Sequence, residues 1–320
     1  MDSRYLDTVR LLVDVAPFVF AGSFFALKGG TAINLFLRDM PRLSVDIDLV
    51  FTDLERPDRS TVLAAIEEEL GKIANRLERM LRVKVRPTTS GSEHESKLFI
   101  SRGLVLLKVE VNHVFRGTVF PPVTGTLSAQ AQARFARALS IPMLDPDELY
   151  ASKLVAALDR QHPRDLFDVM LLLEAEGITP RMRRAFSVYL AGHNRPMQEL
   201  LSPRRKDIGR EFVSDFAGMT MREVTVEQLE EVREVLFNEL PASLDEAERR
   251  FLLSVKGLEP DWSILGIPGL ERLPAVQWKL LNLARLKKAN PKKYFLAFAA
   301  LEKSLEQGRS GRIKGVYSST

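Results

Sequence analysis

Two aspartates, Asp46 and Asp48, stand two residues apart in the apolar run from Val45 to Phe51. Side chains alternate in direction along a strand, so both carboxylates would project from one face. Neighbouring acids at the edge of a buried sheet repel each other and are costly to desolvate unless a positive charge lies between them. A divalent cation is the natural candidate. Asp-x-Asp usually marks a turn or a helix cap, but the flanking β-formers favour a strand here.

A glycine-rich turn precedes the two aspartates. Lys28-Gly29-Gly30-Thr31 lies between two short apolar stretches, which predicts a strand, a tight turn and a helix that opens at the turn. Glycine lets the backbone approach a phosphate closely, and a phosphate can bind at a helix N-terminus. The turn and the aspartates together predict a magnesium-nucleotide site.

A third acid, Glu110, lies in a predicted strand over 104–114, where Lys108, Glu110 and Asn112 alternate with apolar residues. A third carboxylate would strengthen the metal interpretation. A solvent-facing side of the strand explains the same alternation equally well. The spacing leaves both interpretations open.

Lys153 and Arg160 are seven residues apart in a predicted helix and therefore share one of its faces. They could line a cleft, or they could be ordinary surface cations. Asp165 and Asp168, near the start of the next helix, are favourable there for dipole reasons alone. His162, in the intervening turn, is expected to be an exposed loop residue.

The elements that must position these residues fall into two parts. Residues 1–140 mix helix and strand patterns and predict an α/β sheet domain. From the helix start signal Asp145-Pro146-Asp147-Glu148 onward the pattern is helical, so residues 141–320 predict an α-helical domain. The glycine- and proline-rich stretch 257–274 is a candidate linker within it. The expected fold class is α+β.

Composition excludes several kinds of functional site and favours a cytoplasmic location. The chain has 320 residues, 45% hydrophobic and 28% charged, as in a soluble protein of two domains. No apolar run approaches the roughly 20 residues that span a bilayer, so we expect a cytoplasmic protein with no membrane partner. The absence of cysteine excludes disulfides and thiolate chemistry, and four scattered histidines form no metal-binding pair. Any metal should be held by carboxylates.

Basic charge is concentrated at the C-terminal end. Residues 272–320 contain eleven Lys or Arg and two Glu, a local charge of +9, so the net charge of +4 leaves −5 for the first 271 residues. Such a segment is typical of a protein with a polyanionic partner. A solvated helix face has the same composition, and the sequence alone does not decide between them.

The order of these motifs resembles that of the polymerase-beta-like nucleotidyltransferase superfamily. Three stretches look like the AbiEii/AbiGii-type toxins within it: Lys28-Gly29-Gly30-Thr31-Ala32, Arg42-x-Ser44-x-Asp46-Ile47-Asp48-Leu49 and Lys153-Leu-x6-Arg160-x3-Arg164-Asp165-x2-Asp168. The match covers residues 28–168, and residues 190–320 match only loosely. Gly-Gly-Thr replaces the usual Gly-Ser, and the interval from Thr31 to Asp46 is long. Both departures are features of the toxin branch.

The resemblance implies a mixed sheet with flanking helices, followed by an α-helical C-terminal domain. It also implies a magnesium-dependent toxin that transfers nucleotides from an NTP to RNA, with a tRNA 3′ end as the expected acceptor and pyrophosphate as the product. A cognate antitoxin would be encoded nearby, in a toxin-antitoxin or phage-defence system. It could bind the toxin, modify it, with Ser44 a candidate target, or repress it.

The motif residues are expected to act in two groups, one that binds the metal and one that binds the nucleotide. Asp46, Asp48 and Glu110 are expected to hold Mg²⁺, with Mn²⁺ as an alternative, and Glu110 to help deprotonate the attacking hydroxyl. Gly29, Gly30 and Thr31 are expected to cradle the outer phosphates, and Ser44 to bond a phosphate oxygen. By resemblance, Lys153 contacts the triphosphate, and Arg160 and Asp165 help to place the nucleotide or the RNA end.

Two other functions remain open from the sequence. The chain could transfer nucleotides to a protein hydroxyl or a small molecule instead of RNA. It could also be a non-catalytic nucleotide- or RNA-binding module. A pure binding module has little need for three clustered acids, which favours an enzyme.

Overall fold

The computed structural model describes residues 3–22, 24–55, 58–88 and 95–310. The strands are β1 (Phe25–Lys28), β2 (Asp46–Phe51), β3 (Lys84–Thr88), β4 (Glu95–Arg102), β5 (Val105–Asn112), β6 (Val123–Thr126) and β7 (Ser140–Met143). The helices of the first half are α1 (Ser3–Val19), α2 (Gly29–Ala32), α3 (Arg59–Leu81) and α4 (Ala129–Phe135). Those of the second half are α5 (Pro146–Arg160), α6 (Pro163–Glu174), α7 (Pro180–Gly192), α8 (Met197–Leu201), α9 (Gly209–Asp215), α10 (Val226–Ser243), α11 (Glu246–Gly257), α12 (Pro274–Ala289) and α13 (Pro291–Ser310).

The strands form one mixed sheet in the order β3-β4-β5-β2-β1-β7-β6. Strand β2 lies near the centre, antiparallel to β1 and parallel to β5. Its register places four side chains in one row across adjacent strands: Lys28, Asp48, Glu110 and Lys97. Two acids therefore occupy the middle of the row, with a lysine at each end.

Strand β2 shows why the aspartates face outward. Ile47 and Leu49 are fully buried, and the two aspartates that alternate with them are half-buried. Helices α1 and α3 pack against the sheet, and α3 buries Ile66, Ile73 and Leu77 at helical spacing. Apolar burial on alternate residues thus fixes which side of β2 carries its acids.

The helical half holds the loop that leads into β2. The amide of Leu43 donates to the carbonyl of Met219 at 2.9 Å, and the amide of Met221 donates to the carbonyl of Pro41 at 2.8 Å. Between these bonds, Arg42 forms an isolated antiparallel bridge with Thr220. A segment that follows α9 therefore fixes a loop of the sheet half.

The predicted fold class is confirmed: a mixed sheet with flanking helices is followed by a helical C-terminal half. Three short elements, β6, α4 and α8, are absent from the prediction, because β6 contains a glycine and the other two are brief. The helix predicted from Thr31 begins at Gly29 and continues as a π-helical turn over Ile33–Leu37.

Two boundaries differ in detail from the sequence pattern. Strand β7, which pairs in parallel with β1, extends the sheet to Met143. The division into domains at residue 140 stays a prediction. The stretch 257–274 buries Leu265, Ile267 and Leu270, so it packs into the core rather than forming an extended linker.

None of the helices described is both long enough and apolar enough to cross a membrane.

Candidate active site

The aspartates of β2 line a cavity of about 170 Å³ between the sheet and the connection from α5 to α6. The residues that line it are Gly30, Arg42, Ser44, Asp46, Asp48, Lys108, Glu110, Lys153, Arg160, His162, Arg164 and Asp165. This set contains every predicted site residue except Gly29 and Thr31. Residues more than a hundred positions apart in the sequence thus meet at one cavity.

Five alternating charges, four of them on one wall of the cavity and Asp168 buried behind it, form what we call the charge ribbon: Arg42, Asp168, Lys153, Asp165 and Arg160. The ammonium of Lys153 lies 2.9 Å from Asp165 Oδ1 and 3.0 Å from Asp168 Oδ2. Arg160 binds Asp165 through two nitrogens, at 2.6 and 3.1 Å. The ribbon carries three cations and two anions, so it keeps one positive charge in excess.

Most of the charge ribbon is buried. Lys153 is 6% exposed, and Asp165 and Asp168 are at most 2% exposed. Burial alone would raise the pKa of each aspartate, but the neighbouring cations outweigh it and hold both pKa values below the ordinary value. Both aspartates are therefore ionised, and they fix the cations in place.

Arg160 is the exposed end of the ribbon. Its side chain is 61% exposed, in contrast to that of Lys153, although both bind Asp165. A guanidinium with one side on a carboxylate and the other in an open cavity can bind a second anion. Arg164 lines the cavity close by. This wall is therefore suited to a phosphate.

The opposite wall is acidic. Burial raises the pKa of Asp48; Lys28 opposes this shift, and the nearby charges of Asp46 and Glu110 add to it. Burial lowers the pKa of Lys28, and Asp48 and Glu110 oppose that change. A desolvated carboxylate beside other acids is the environment in which a bound cation is most stabilising.

A lysine from the same face of the sheet approaches two of these acids. Lys108 Nζ lies 3.1 Å from Glu110 Oε2 and 3.9 Å from Asp46 Oδ1. Burial alone would lower its pKa, but Asp46 and Glu110 outweigh burial and raise it. Its ammonium group therefore stands between two of the three predicted metal ligands.

The donor chemistry of this wall suits Mg²⁺ or Mn²⁺, which prefer carboxylate oxygens. Within the described residues, no three His, Cys, Asp or Glu side chains converge closely enough to hold a metal ion. The fit rests on Asp46 and Asp48, which share one face of β2 and line the cavity. Glu110 is in register with Asp48 but pairs with Lys108.

The neighbouring site residues leave no room for a side chain at Gly29 or Gly30. Gly29 has φ +75°, and a Cβ there would lie 2.3 Å from Asp48 Oδ2. A Cβ at Gly30 would lie 2.7 Å from Arg42 Nη2 and 3.1 Å from Ser44 Oγ. Any larger residue at either position would displace a site side chain.

Thr31 lies outside the cavity and is 1% exposed. Its hydroxyl hydrogen bonds to the backbone carbonyl of Asp46 and lies 2.9 Å from Ser44 Oγ. Thr31 therefore ties the glycine turn to the strand that carries the aspartates. Ser44 lines the cavity beside it.

His162 was expected to be an exposed loop residue, but it is half-buried and lines the cavity. Its Nδ1 accepts a hydrogen bond from the amide of Arg164 at 3.1 Å and caps the start of α6. Burial lowers the pKa of His162, and the charge of Arg164 adds to the shift. The imidazole is therefore neutral at pH 7.

The sequence patterns indicate no role for several residues of the site. Arg42 and Asp168 belong to the motifs without an assigned function, yet Arg42 binds Asp168 through Nε at 2.7 Å and Nη2 at 2.6 Å. Lys28 and Lys108 were not assigned because their positions depend on strand register. An arginine two residues before Ser44 in an otherwise apolar stretch is the signal that could have indicated a buried partner.

Two of three comparisons with known proteins give a match. A search of curated proteins gives no significant match. Among solved structures, MenT4, a nucleotidyltransferase toxin of Mycobacterium tuberculosis, matches with a TM-score of 0.58 and 20% identity, over 78% of this chain and 89% of that one. This likeness shows a shared fold. The profile of the family described as nucleotidyl transferase AbiEii toxin, type IV TA system, matches residues 10–282. The chain therefore belongs to the AbiEii family of nucleotidyltransferase toxins of type IV toxin-antitoxin systems.

Proposed function

We propose that this toxin transfers a nucleotide from an NTP to the 3′ end of an RNA, with tRNA as the expected acceptor, and releases pyrophosphate. The observation that carries the proposal is the pairing of two walls across one cavity, the acids of β2 and the excess cationic charge of the charge ribbon. An NTP with its metal needs both: carboxylates for the metal and cations for the phosphates.

On the acidic wall, Asp46 and Asp48 would hold Mg²⁺, with Mn²⁺ as an alternative, and Glu110 would join them once Lys108 releases it. An ion held there would supply positive charge to the triphosphate as the bond to pyrophosphate breaks. Gly29 and Gly30 add no side chain to this space, so their backbone can approach the phosphates, and Thr31 holds Ser44 where its hydroxyl can donate to a phosphate oxygen.

On the cationic wall, Arg160 would bind the triphosphate or the RNA end with the side of its guanidinium that faces the cavity. Lys153 faces the cavity from a buried position, where Asp165 and Asp168 fix its ammonium group. Asp165 acts through these two cations, because both of its oxygens are already occupied. Its role is therefore to position them.

In the transfer step, the oxygen of an RNA 3′-hydroxyl forms a bond to the α-phosphorus. The bond from that phosphorus to the bridging oxygen of the β-phosphate breaks, and pyrophosphate leaves with the electron pair. The hydroxyl proton passes to a carboxylate of the acidic wall, for which we propose Glu110.

The C-terminal helices favour RNA over a small acceptor. Helices α12 and α13 pack against α7 and α10, so the described part of the basic segment, up to residue 310, belongs to the folded structure. Lys288 and Lys292 remain exposed at the junction of the two helices. A cationic surface outside the cavity contributes to binding a long polyanion and contributes little to binding a small molecule.

The family also implies a cognate antitoxin. We propose that it is encoded beside the toxin, and inspection of the adjacent reading frame tests this. Ser44 lines the cavity, so its modification would add a group between the two walls and block the NTP. A phosphate there would place about two negative charges beside Asp46.

The decisive experiment incubates the protein with each labelled NTP, Mg²⁺ and total RNA, and measures the size and position of the label. We expect incorporation from at least one NTP and a loss of about 100-fold or more in Asp46→Asn and Asp48→Asn. Asp7→Asn, which removes an exposed carboxylate from α1, should keep full activity. Near-normal transfer by Asp46→Asn would refute the mechanism.

A second measurement distinguishes RNA from other acceptors. Lys288→Gln together with Lys292→Gln should weaken RNA binding and reduce the slope of log affinity against log salt by roughly 0.7 for each phosphate that the variant no longer neutralises. Deletion of residues 272–320 is a poor test, because it would remove packed helices. Transfer to protein in a lysate, with no label in RNA, would favour the protein-modifying alternative instead.

A further inference from the structure

A second cavity, of about 220 Å³, lies in the helical half and shares no lining residue with the cavity between Asp48 and Arg160, which we call the catalytic cavity. Its walls come from α8 and the segment before it, the end of α11, and helices α12 and α13. We call it the helical cavity. Two nearly buried lysines line it: Lys256 is 3% exposed and Lys279 is 7% exposed.

Lys256 is the unusual residue. Within the described part of the chain, no oxygen accepts a hydrogen bond from its ammonium group, and no carboxylate pairs with it. The ring of Tyr294, 5.6 Å from Nζ, gives partial compensation. Burial lowers the pKa of Lys256. A buried cation without a counter-charge is costly, and its position on the wall of a cavity means that an anion could supply that charge.

Lys279 adds a second cation. Its Nζ donates to the carbonyls of His193 and Arg195 at 2.6 and 2.7 Å, which leaves one of its three N–H groups for another acceptor. Burial, with repulsion from Lys256, lowers the pKa of Lys279 to about 8. The acid that lines the cavity, Glu199, is exposed and pairs with Arg195 at 3.4 Å. The helical cavity is therefore positive at its base.

The other lining residues indicate which chemical group is attached to the anion. The cavity contains the half-buried indole of Trp278 together with apolar side chains such as Met197 and Leu283. A planar aromatic surface beside two nearly buried cations is complementary to a base and its phosphate.

We infer that the helical cavity binds a nucleotide: its phosphate accepts hydrogen bonds from Lys256 and Lys279, and its base lies against Trp278. The nucleotide has two sources, a free nucleoside monophosphate or one unit of an RNA strand. The chemistry that the cavity recognises is the same in both. The inference does not depend on the proposed transfer reaction, because it concerns binding at a separate cavity.

Residues at the wall of the helical cavity also contact α5, the helix that carries Lys153 and Arg160. Arg195, whose carbonyl accepts from Lys279, binds Asp159 at 2.7 Å, and His193 Nε2 lies 3.6 Å from the same carboxylate. Asp159 immediately precedes Arg160 of the charge ribbon on α5. The two cavities are therefore connected through one helix, although they share no wall.

The chain has two tryptophans, which allows a local measurement. In full-length Trp262→Phe, Trp278 is the sole tryptophan, and its fluorescence reports on the helical cavity. The probes are the four nucleoside monophosphates, inorganic phosphate and a single-stranded RNA of five nucleotides. We expect a saturable change with at least one nucleotide, and competition without that change from inorganic phosphate.

Lys256→Met in the same background should weaken binding at least tenfold, equivalent to about 1.4 kcal/mol. Lys303→Met, which removes an exposed lysine from α13, is matched for charge and should have no effect. If Lys256→Met does not fold, Lys293→Glu reverses an exposed charge of the lining and should weaken binding as well. Five-nucleotide RNA that binds tenfold more tightly than any mononucleotide would identify the source as a strand, and equal affinity would identify a free nucleotide.

Three outcomes would overturn the inference. One is the absence of a saturable change with every nucleotide probe. Another is equal binding by Trp262→Phe alone and by Trp262→Phe combined with Lys256→Met or Lys293→Glu, which would locate the ligand elsewhere. The third is binding of inorganic phosphate as tight as that of nucleotides, which would leave no role for Trp278. None of them measures transfer, so each leaves the proposed function intact.

Discussion

Asp168 binds Arg42 through both of its carboxylate oxygens, and this pair joins the loop before β2 to helix α6. The two residues are 126 positions apart in the sequence. Asn34, in the π-helical turn, also donates to Asp168, at 3.0 Å. One buried aspartate therefore holds three segments around the catalytic cavity.

Replacement of Asp168 should unfold the protein more easily. Asp168→Asn leaves Arg42 and Lys153 buried with less negative charge, and loss of one partner of a buried ion pair typically costs about 3–5 kcal/mol. Urea denaturation measures the free energy of unfolding. The control is Glu174→Gln in the exposed pair with Arg222, which should cost less than about 1 kcal/mol. Equal effects of the two changes would contradict the structural role of Asp168.

Gly29 should be sensitive to a single added methyl group. In Gly29→Ala the Cβ would meet Asp48 Oδ2 at 2.3 Å, so we expect the carboxylate to be displaced and transfer to fall by about 100-fold. Gly103 has a similarly positive φ of +61°, but a Cβ there meets nothing within 4 Å. Gly103→Ala therefore carries the backbone strain alone and should keep its activity. Loss of activity in both variants would indicate strain rather than contact with Asp48.

Lys108 should compete with the metal ion. Because its ammonium lies near both Asp46 and Glu110, Lys108→Met should lower the Mg²⁺ concentration for half-maximal transfer by about tenfold. Titration of Mg²⁺ at saturating NTP measures this. Lys84→Met removes an exposed lysine from β3 and should leave the requirement unchanged. A higher requirement in Lys108→Met would mean that this lysine binds the nucleotide instead.

Glu148, on α5, should make stability depend on pH. Burial raises its pKa to about 7, although it accepts hydrogen bonds from the amides of Val119 and Phe120 and from the Tyr189 hydroxyl. Because the folded pKa exceeds the unfolded value of about 4.3, this contribution is complete at low pH and is lost as pH rises through 7. The full loss is about 3–4 kcal/mol, of which about 2–3 kcal/mol falls between pH 5 and pH 8.

Glu148→Gln should remove this part of the pH dependence, and urea denaturation at pH 5 and pH 8 would show it. The variant loses one acceptor for a backbone amide, so it should be less stable than the wild type at pH 5. Glu239→Gln, at an exposed site on α10, should keep the wild-type pH profile. An unchanged difference between the two pH values in Glu148→Gln would refute the assignment.

The sequence by itself determined the local features of this protein. Asp46 and Asp48 could be placed on one strand face because alternation with Ile47 and Leu49 is a property of neighbouring residues. The glycine turn and the helical second half were likewise evident from local patterns. The order of the motifs indicated the family, which the profile match confirms.

Only the tertiary structure decided which charges meet. The pairing of Arg42 with Asp168 and the approach of Lys108 to Asp46 depend on strand register and on the docking of α6, which leave no local pattern in the sequence. Thr31 was expected to cradle phosphates, but its hydroxyl bonds the carbonyl of Asp46 because the turn folds back onto β2. No pattern in the sequence distinguishes Lys256 from the other lysines of the helical half. Its burial without a counter-charge arises only where α11, α12 and α13 pack together, since burial is a property of neighbours in space and not in sequence.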